Sequence, residues 1–441
     1  MHCMLRLGTG ASATPVGVHR LQYLVDDTRL DNGLRVIVNP DAMAPGVAVN
    51  LWYRVGSADE SLGCTGFAHL FEHLMFAGST NVENGEHLAA IQAVGGSANA
   101  TTSFDRTNYF ETVGPQALDL ALWLEADRMS GLNVDQTNLD TQREVVKEEK
   151  RQRYDNVPYG DQLELLLALN FPTEHAYGHP AIGSMADLDA ATLDDVQWFY
   201  RTWYQPAAAV LTLSGPISVE QGRELAHRFF GWLPHSPAPQ TPAEHPLPQH
   251  LDNPELVVER DVPRPMLHLC WRTPKLTHPD RLAVDLLLAL LADGQSSRLH
   301  RKLVRDTQLA EGIGGYDLGL ARGGSIGVIS SRAREGVELD RLAEPMLDIL
   351  ADLAQHGPSE SELARAKAGF EREWLSALAP VEDRADQLGF YATHFDDPLR
   401  INEELDEIER LEPTDIARVA ARWFDPDNRA TLRYQTKGGA A

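Results

Sequence analysis

The stretch LDAATLDDVQWFYRTWYQPAAAVLTL, residues 188–213, returns near the end of the chain as IERLEPTDIARVAARWFDPDNRATLRY, residues 408–434. Agreement at one fixed offset over this length indicates an internal duplication, so we expect two homologous halves. At the offset of 220 residues, the aligned pairs are Leu188 and Ile408, Asp195 and Asp415, Val196 and Ile416, Trp203 and Trp423, and Pro206 and Pro426.

Both halves open with strand-like segments and continue with helix-like ones. GLRVIV and VAVNLWYRV in the first half, and ELVVER and MLHLCWR in the second, carry β-branched or alternating apolar residues. HLFEHLMFAG and LAVDLLLALLADG follow with helical periodicity. This order predicts an α+β fold of two homologous domains, each a largely antiparallel sheet with helices packed on one face. We expect the two domains to form a clamshell chamber.

A proline-rich segment separates the halves. LPHSPAPQTPAEHPLPQHLDNPE, residues 233–255, holds seven prolines and no periodic apolar pattern, which is typical of an extended linker. We therefore predict an N-terminal domain over residues 1–232 and a C-terminal domain over residues 256–441.

Composition and charge restrict the class of partner. The 441 residues include 64 acidic and 39 basic ones, which gives a formal charge of −25. Nucleic-acid binding needs clusters of Lys and Arg against phosphate, so we expect no nucleic-acid partner. A cationic partner or substrate is easier to accommodate.

Cysteine usage and hydropathy bear on the compartment. Cys3, Cys64 and Cys270 form no CxxC motif, so we expect no disulfide framework. The longest apolar runs, such as LLLALLA at 286–292, are far shorter than the roughly 20 residues that a membrane span needs. The first 25 residues lack the apolar core of a secretory signal. These features favour the cytoplasm, with the periplasm as the alternative if a leader is missing.

The motif HLFEH, residues 69–73, is the strongest candidate for chemistry. On a helix, His69 and His73 lie about 5–6 Å apart on one face and could share a zinc ion. Glu72 falls on the same side, in the order found in inverted zincins. The plainer interpretation is a solvated or core-satisfied histidine pair. The neighbouring apolar stripe consists of Phe67, Leu70, Phe71 and Leu74.

Catalytic zinc usually takes three protein ligands and a water, so a third ligand is needed. The acidic candidates lie in the helix-forming run TQREVVKEEKRQRYDN, residues 141–156. Spacing alone leaves Glu144, Glu148 and Glu149 open.

The chain resembles the insulinase and pitrilysin family of zinc peptidases, in the two-domain branch that includes mitochondrial processing peptidase. Within that branch it is similar to the zinc-bearing subunit of a heterodimeric bacterial peptidase. The resemblance covers nearly the whole chain, including its repeated C-terminal half. The motifs that carry it are LDNGLRVIV, GFAHLFEHLMFAGS, GGSANATTSFDRTNYF, QREVVKEEKRQRYDNVPYG, YGHPAIGS and WYQPAAAVLTLSG.

The resemblance implies a set of site residues. The family's third ligand stands in the pattern E-R-x-x-V-x-x-E, and aligning Arg143 and Val146 with it selects Glu149, with Gln142 in place of the first glutamate. Glu148 is the fallback. GGSANATTSFDRTNYF matches the family's edge strand, to which an extended peptide adds as a further strand. The matching substrate-binding residues are Gly95, Gly96, Asn99 and Ala100.

The second half departs from the family's active pattern in two respects. Aligning Gly78 with Gly294 puts Asp285, Leu288 and Ala289 where the first half has His69, Glu72 and His73, so no second zinc site is expected. Active single-chain members also carry an arginine and a tyrosine seven residues apart. Val304 and Glu311 occupy the corresponding positions here, and Arg305 with Tyr316 is the alternative pair.

These implications define the functional expectation. We expect one Zn²⁺ per chain, held by His69, His73 and Glu149, with Glu72 as the catalytic base in peptide hydrolysis. Because the Arg/Tyr pair is missing, a homologous partner subunit that supplies it is expected, with a homodimer as the alternative. The competing function is a noncatalytic structural or peptide-holding subunit of the same fold.

Overall fold

The computed structural model describes residues 21–235 and 254–437, together with residues 237, 247 and 251. Most of the proline-rich segment 233–255 and Cys3 lie outside the described residues. The linker and the domain boundaries beside it therefore stay predictions.

The first half forms a six-stranded sheet with the strand order β1-β2-β6-β3-β5-β4. β2 and β6 are parallel, and every other neighbouring pair is antiparallel. The strands are β1 (Asp26–Arg29), β2 (Arg35–Pro40), β3 (Val47–Tyr53), β4 (Ser97–Thr102), β5 (Thr107–Val113) and β6 (Ala209–Gly215).

The second half forms a five-stranded sheet with the order β7-β11-β8-β10-β9. Its only parallel pair is β7 and β11. Apart from β1, this order matches that of the first sheet strand by strand, so the predicted duplication is confirmed in the topology. The strands are β7 (Glu255–Arg260), β8 (Met266–Thr273), β9 (Ala310–Asp317), β10 (Ser325–Ala333) and β11 (Ala430–Thr436).

Fourteen helices are described around the two sheets. In the first half they are α1 (Phe67–Leu74), α2 (Glu86–Ala93), α3 (Leu118–Ser130), α4 (Gln136–Lys150), α5 (Gln162–Asn170), α6 (Met185–Ala190), α7 (Leu193–Trp203) and α8 (Val219–Phe230). In the second half they are α9 (Arg281–Ala292), α10 (Asp340–His356), α11 (Glu360–Ala377), α12 (Val381–His394), α13 (Glu404–Arg410) and α14 (Pro413–Trp423).

The repeated stretch forms equivalent elements in both halves. Helices α7 and α14 lie at the predicted offset of 220 residues, and a capping box begins each of them. Asp195 and Asp415 are the third helical residues of the two boxes, and each carboxylate accepts from the backbone N–H of its N-cap residue. Strands β6 and β11 follow at an offset of 221 because the second loop is one residue longer.

Each sheet packs its own helices on one face, as predicted. In the first half, Leu51 of β3 lies in one buried cluster with Phe71 of α1 and Phe199 of α7, whose rings lie 5.0 Å apart. In the second half, Trp271 of β8 lies 5.3 Å from Phe424 at the end of α14. The α+β class with two homologous domains is confirmed.

The opposite face of each sheet is covered by a helix from the other half. On the first sheet, Trp52 packs against Leu388 and Tyr391 of α12. On the second sheet, Leu432 packs against Leu166 of α5. The central strands are consequently buried on both faces, which the alternating patterns of the sequence did not predict.

Polar groups fix α12 on the first sheet. Asp386 of α12 accepts hydrogen bonds from the side chains of Asn50, Trp52 and Asn108, at 3.2, 2.9 and 2.8 Å. These donors lie on the buried face of the sheet. Their hydrogen bonds to the Asp386 carboxylate offset the free-energy cost of removing them from water. None of the described helices is long and apolar enough to cross a membrane.

Leu388→Ala tests the packing between the halves. Leu388 is fully buried, so its truncation leaves a cavity and we expect the free energy of unfolding to fall by about 2–5 kcal/mol. Urea denaturation followed by tryptophan fluorescence measures the loss. Leu399→Ala, at a side chain that is 49% exposed, is the control and should change little. Equal stability of the two variants would contradict the packing between the halves.

Candidate metal centre

Helix α1 carries the HLFEH motif, and a buried carboxylate fixes its start. Gly66 adopts a left-handed backbone with φ of 90° at the N-cap, a conformation that favours glycine. The carboxylate of Glu60 accepts hydrogen bonds from the backbone N–H groups of Gly66 and Ala68, at 2.8 and 2.7 Å. Two backbone N–H groups at the helix start thereby gain a partner, so Glu60 fixes the start of α1.

The structure brings His69, His73 and Glu149 together. Nε2 of His73 lies 3.4 Å from Oε2 of Glu149, and Nε2 of His69 lies 3.7 Å from the same oxygen. One ligand atom from each of the three residues lies within 4.8 Å of the others. All three side chains are partly buried and still reachable from solvent.

These separations fit a zinc ion. Ligand atoms at roughly 2.0–2.1 Å from a tetrahedral ion lie roughly 3.3–3.4 Å apart, close to the observed spacing. The donor set of two imidazoles and one carboxylate is a known catalytic set that leaves the fourth position open. His69, His73 and Glu149 are therefore chemically and geometrically suited to hold zinc.

Helix α4 places Glu149 beside α1, whereas Glu144 and Glu148 of the same helix face solvent. Val146, one turn before Glu149, is fully buried in the core of the first half. Arg143 donates to the backbone oxygens of Leu188 and Ala191, both at 2.8 Å, and so fixes the middle of α4.

The two remaining acidic candidates face away from the histidines. Glu148 accepts from Arg151 at 3.1 Å and from Gln152 at 2.9 Å, and its side chain is 54% exposed. Glu144 pairs with Lys147 at 3.0 Å on the exposed side of α4. Of the three candidates that spacing left open, only Glu149 reaches the histidine pair.

Burial prepares the histidines and the motif's glutamate for different tasks. Burial, together with the neighbouring His73, lowers the pKa of His69 to about 4, which keeps its imidazole neutral and able to bind a metal. Burial raises the pKa of Glu72, while a hydrogen bond from Thr102 opposes this change. Glu72 therefore sits where desolvation strengthens it as a proton acceptor.

Thr102 is a site residue that the sequence-based prediction missed. Its hydroxyl donates to Oε2 of Glu72 at 2.6 Å. Thr102 ends β4, so this hydrogen bond ties the motif on α1 to the edge strand. A threonine in the run ATTS carries no distinguishing signal in sequence, because only the folded chain places its hydroxyl beside the carboxylate.

Strand β4 is the outermost strand of the first sheet. It pairs only with β5, so one side of its backbone is unpaired among the described residues. Asn99 and Ala100 lie within β4, and Gly95 and Gly96 form the turn just before it. Their substrate-binding role stays a prediction.

A second cluster of ionisable side chains lies buried behind β4. His87 of α2 contacts Glu111 of β5 at 2.5 Å, and Glu125 of α3 lies beside them. Arg128 forms a bidentate ion pair with Glu125 and lies over the Tyr109 ring at 4.2 Å. Because the guanidinium already supplies the positive charge, this cluster is a structural network and a poor cation site.

Among its described residues, the second half has no counterpart of the candidate metal centre. Asp285, Leu288 and Ala289 line a cavity of roughly 630 Å³, and Asp285 pairs with Arg281 at 2.5 Å. Within residues 21–235 and 254–437, both groups of side chains that could hold a metal lie in the first half.

The positions of the Arg/Tyr pair hold side chains engaged elsewhere. Val304 packs against the core of the second half. Glu311 forms ion pairs with Arg264 and Arg332, both at 3.1 Å.

The alternative pair is also engaged. Arg305 pairs with the adjacent Asp306 at 3.0 Å, and the Tyr316 hydroxyl accepts from Gln162 at 3.2 Å. Whether Arg305 and Tyr316 substitute for the missing pair stays a prediction.

Comparisons with known proteins agree with this architecture. The model of the insulinase family, peptidase family M16, matches residues 35–176, and the model of the peptidase M16 inactive domain matches residues 190–370. Zinc protease PqqE of Helicobacter pylori is 30% identical over 429 residues, which cover 94% of each chain. An uncharacterized zinc protease of Mycobacterium tuberculosis is 29% identical over 89% of each chain.

Similarity in structure extends over the same length. The crystal structure of a protease from Helicobacter pylori superposes with a TM-score of 0.88 at 29% identity, covering 94% of this chain and all of that one. The names of the relatives imply zinc dependence in the family. The chain therefore belongs to the insulinase family of peptidases, peptidase family M16.

Proposed function

We propose that the chain is a zinc-dependent endopeptidase that hydrolyses extended or unfolded peptides. The observation that carries the proposal is the convergence of His69, His73 and Glu149, whose ligand atoms lie within 4.8 Å of one another, with Glu72 on the same helix as the two histidines. The membership in a peptidase family and the names of the zinc protease relatives support it.

The proposed chemistry divides the work among these residues. His69, His73 and Glu149 would hold the zinc ion, which would supply a Lewis acid that lowers the pKa of water and polarises the scissile carbonyl. Glu72 accepts the proton of the attacking water and returns it to the leaving amine. Thr102 keeps the Glu72 carboxylate oriented through its hydrogen bond. The balance is one water consumed for each peptide bond broken.

We propose that the substrate binds along β4. An extended peptide that pairs with the free side of an edge strand gains backbone hydrogen bonds whatever its side chains are. Asn99 and Ala100 of β4 and the glycines before them would set its register. Because β4 ends at Thr102, a peptide bound in this way runs toward Glu72. Only an unfolded segment can offer the required backbone edge, so folded proteins are poor substrates.

A heterodimer is the proposed working form. Glu311 stands where active single-chain members have a tyrosine, and it is ion-paired with Arg264 and Arg332. We propose that a homologous partner subunit supplies the Arg/Tyr pair across a shared clamshell chamber. The same observation favours the competing function, a noncatalytic peptide-holding subunit.

Glu149→Gln and Glu148→Gln distinguish the proposed ligand from its neighbour. We expect Glu149→Gln to weaken zinc binding by more than the roughly 10–100-fold caused by losing a hydrogen-bond partner of a ligand. Glu148→Gln, on the exposed side of α4, should bind zinc as the wild type does. Competition with a chromophoric chelator measures both affinities. The reverse order would assign the ligand to Glu148.

Glu72→Gln tests the proposed base. The substitution keeps the size of the side chain and removes its proton affinity, so we expect kcat/KM for a fluorogenic peptide to fall by roughly 10²–10⁴. Zinc content should remain one ion per chain, because Glu72 is not a ligand. The matched control is Glu144→Gln on the exposed side of α4. Turnover retained in Glu72→Gln would remove Glu72 as the base.

The partner requirement is tested by assaying the zinc-loaded chain alone and with a homologous subunit that carries the Arg/Tyr pair. We expect turnover to rise at least about tenfold with the partner, the tenfold corresponding to 1.4 kcal/mol of transition-state stabilisation. Full activity of the isolated chain would contradict the heterodimer. A zinc-loaded chain that stays inactive with the partner would favour the noncatalytic function.

A further inference from the structure

The turn between β9 and β10, residues 318–324, docks on the first half. This turn and the turn between β4 and β5, residues 103–106, are duplicated counterparts, and they meet tip to tip. Arg322 lies at the centre of the contact, with a side chain that is 12% exposed. The second half thus places a buried cation next to the turn that follows β4.

Arg322 joins two carboxylates of the first half. Its guanidinium donates to both oxygens of Asp59, at 2.8 and 2.9 Å, and its Nε lies 3.2 Å from Asp105. It also donates to the backbone oxygen of Ala58 at 3.1 Å. Tyr177 completes the contact, because its hydroxyl donates to Asp105 and accepts from the Arg322 backbone N–H. A planar fork with several donors suits this arrangement, and a lysine cannot reproduce it.

Asp59, the first of these carboxylates, is next in sequence to the residue that caps α1. Asp59 immediately precedes Glu60, whose carboxylate accepts from Gly66 and Ala68 at the start of α1. Both oxygens of Glu60 are used in this cap, so the position of α1 follows the position of residues 56–60. Arg322 therefore holds the residue that immediately precedes the capping carboxylate.

Asp105, the second carboxylate, lies close in sequence to Thr102, which is bonded to the proposed base Glu72. Asp105 lies in the turn that follows Thr102, and Thr102 donates to Glu72. Holding this turn fixes the end of β4 and with it the hydroxyl that orients the Glu72 carboxylate.

The two segments that Arg322 joins are also bonded to each other. The N–H of Ser57 donates to the oxygen of Ser103 at 3.2 Å, and the N–H of Ala58 donates to that of Phe104 at 2.8 Å. Gly56 allows this approach, since a Cβ there would lie 2.4 Å from both oxygens. The ion pairs of Arg322 thus hold both segments, residues 56–60 and residues 103–106, that contact the candidate site through Glu60 and Thr102.

We propose that Arg322 is a positioning residue through which the second half holds Glu72 and the start of α1 in their working arrangement. The inference rests on the proposed peptidase function and deepens it. It gives the second half a part in the site that is separate from the missing Arg/Tyr pair, although Arg322 contacts neither the zinc ligands nor Glu72.

Arg322→Gln and Arg322→Lys test the inference in the zinc-loaded chain with its partner. We expect Gln to lower kcat about tenfold or more, since small misplacements of reacting groups cost up to roughly 10²-fold. Lys keeps the positive charge but not the fork, so its kcat should lie between Gln and wild type. KM and zinc content should stay within about twofold in both variants. Should Arg322→Gln fail to fold, Arg322→Lys carries the test.

Arg384→Gln is the matched control. Arg384 of α12 is a buried arginine of the second half that also pairs with the first half, through Asn39 at 2.9 Å and Asp41 at 2.5 Å. It contacts neither of the segments that Arg322 joins. Its removal should leave kcat within about twofold of wild type. Equal kcat losses in Arg384→Gln and Arg322→Gln would reduce Arg322 to general packing and overturn the inference.

A double-mutant cycle with Thr102→Val tests the route to the base. If Arg322 acts on Glu72 through Thr102, Arg322→Gln should lower kcat much less in the Thr102→Val background than in the wild type. If the factors by which Arg322→Gln and Thr102→Val lower kcat simply multiply in the double variant, the two residues act independently. That result would overturn the proposed action through Thr102.

A readout that does not depend on activity separates the inference from the proposed function. If wild type shows no turnover with the partner, the peptidase proposal fails, and hydrogen exchange at the Gly66 and Ala68 amides still tests Arg322. These amides are bonded to Glu60, so exchange should be at least about tenfold faster in Arg322→Gln and unchanged in Arg384→Gln. Unchanged exchange in Arg322→Gln would overturn the inference.

Discussion

The structure depends on one reciprocal exchange, in which each half covers the sheet of the other with a helix. Leu388 and Tyr391 of α12 bury the outer face of the first sheet, and Leu166 of α5 buries that of the second. Without this exchange, both sheets would expose an apolar face to water. Burial of apolar area is the dominant favourable contribution to folding, so neither half is a self-sufficient unit. The duplicated sequence has thereby become one interdependent molecule.

The candidate metal centre depends on the same packing between the halves. Helix α1 is positioned by Glu60, next to the segment that Arg322 of the second half holds. The chain beyond α4 docks on the second sheet as well, because Tyr159 packs on Tyr434 at 5.3 Å and Asp161 accepts from the Tyr434 hydroxyl at 2.6 Å. The second half, whose described residues include no counterpart of the candidate ligands, therefore still supports the elements that carry them in the first half.

Buried charge is used in the first half for rigidity as well as for chemistry. His87, Glu111, Glu125 and Arg128 form a nearly inaccessible network behind β4. Burial raises the pKa of Glu111 and lowers that of His87, so burial disfavours the charged form of both side chains. Such a network holds α2 and α3 against β5, since breaking one partner leaves another charge buried and unpaired. A firm sheet edge suits a strand that is proposed to bind peptide backbone.

Local patterns in the chain were enough to predict the duplication, the α+β class, the HLFEH helix and the family, because periodicities, fixed offsets and short motifs can be recognised within single segments. Spacing left Glu144, Glu148 and Glu149 open, and the family pattern selected Glu149. Only the tertiary structure placed that carboxylate beside the histidines. Three further features also needed the folded chain: the packing of α12 and α5 on the sheet of the other half, the hydrogen bond from Thr102 to Glu72, and the contact of Arg322 with the first half. Each of them joins elements that lie far apart in sequence and that carry no periodic signal for the contact within their own segments.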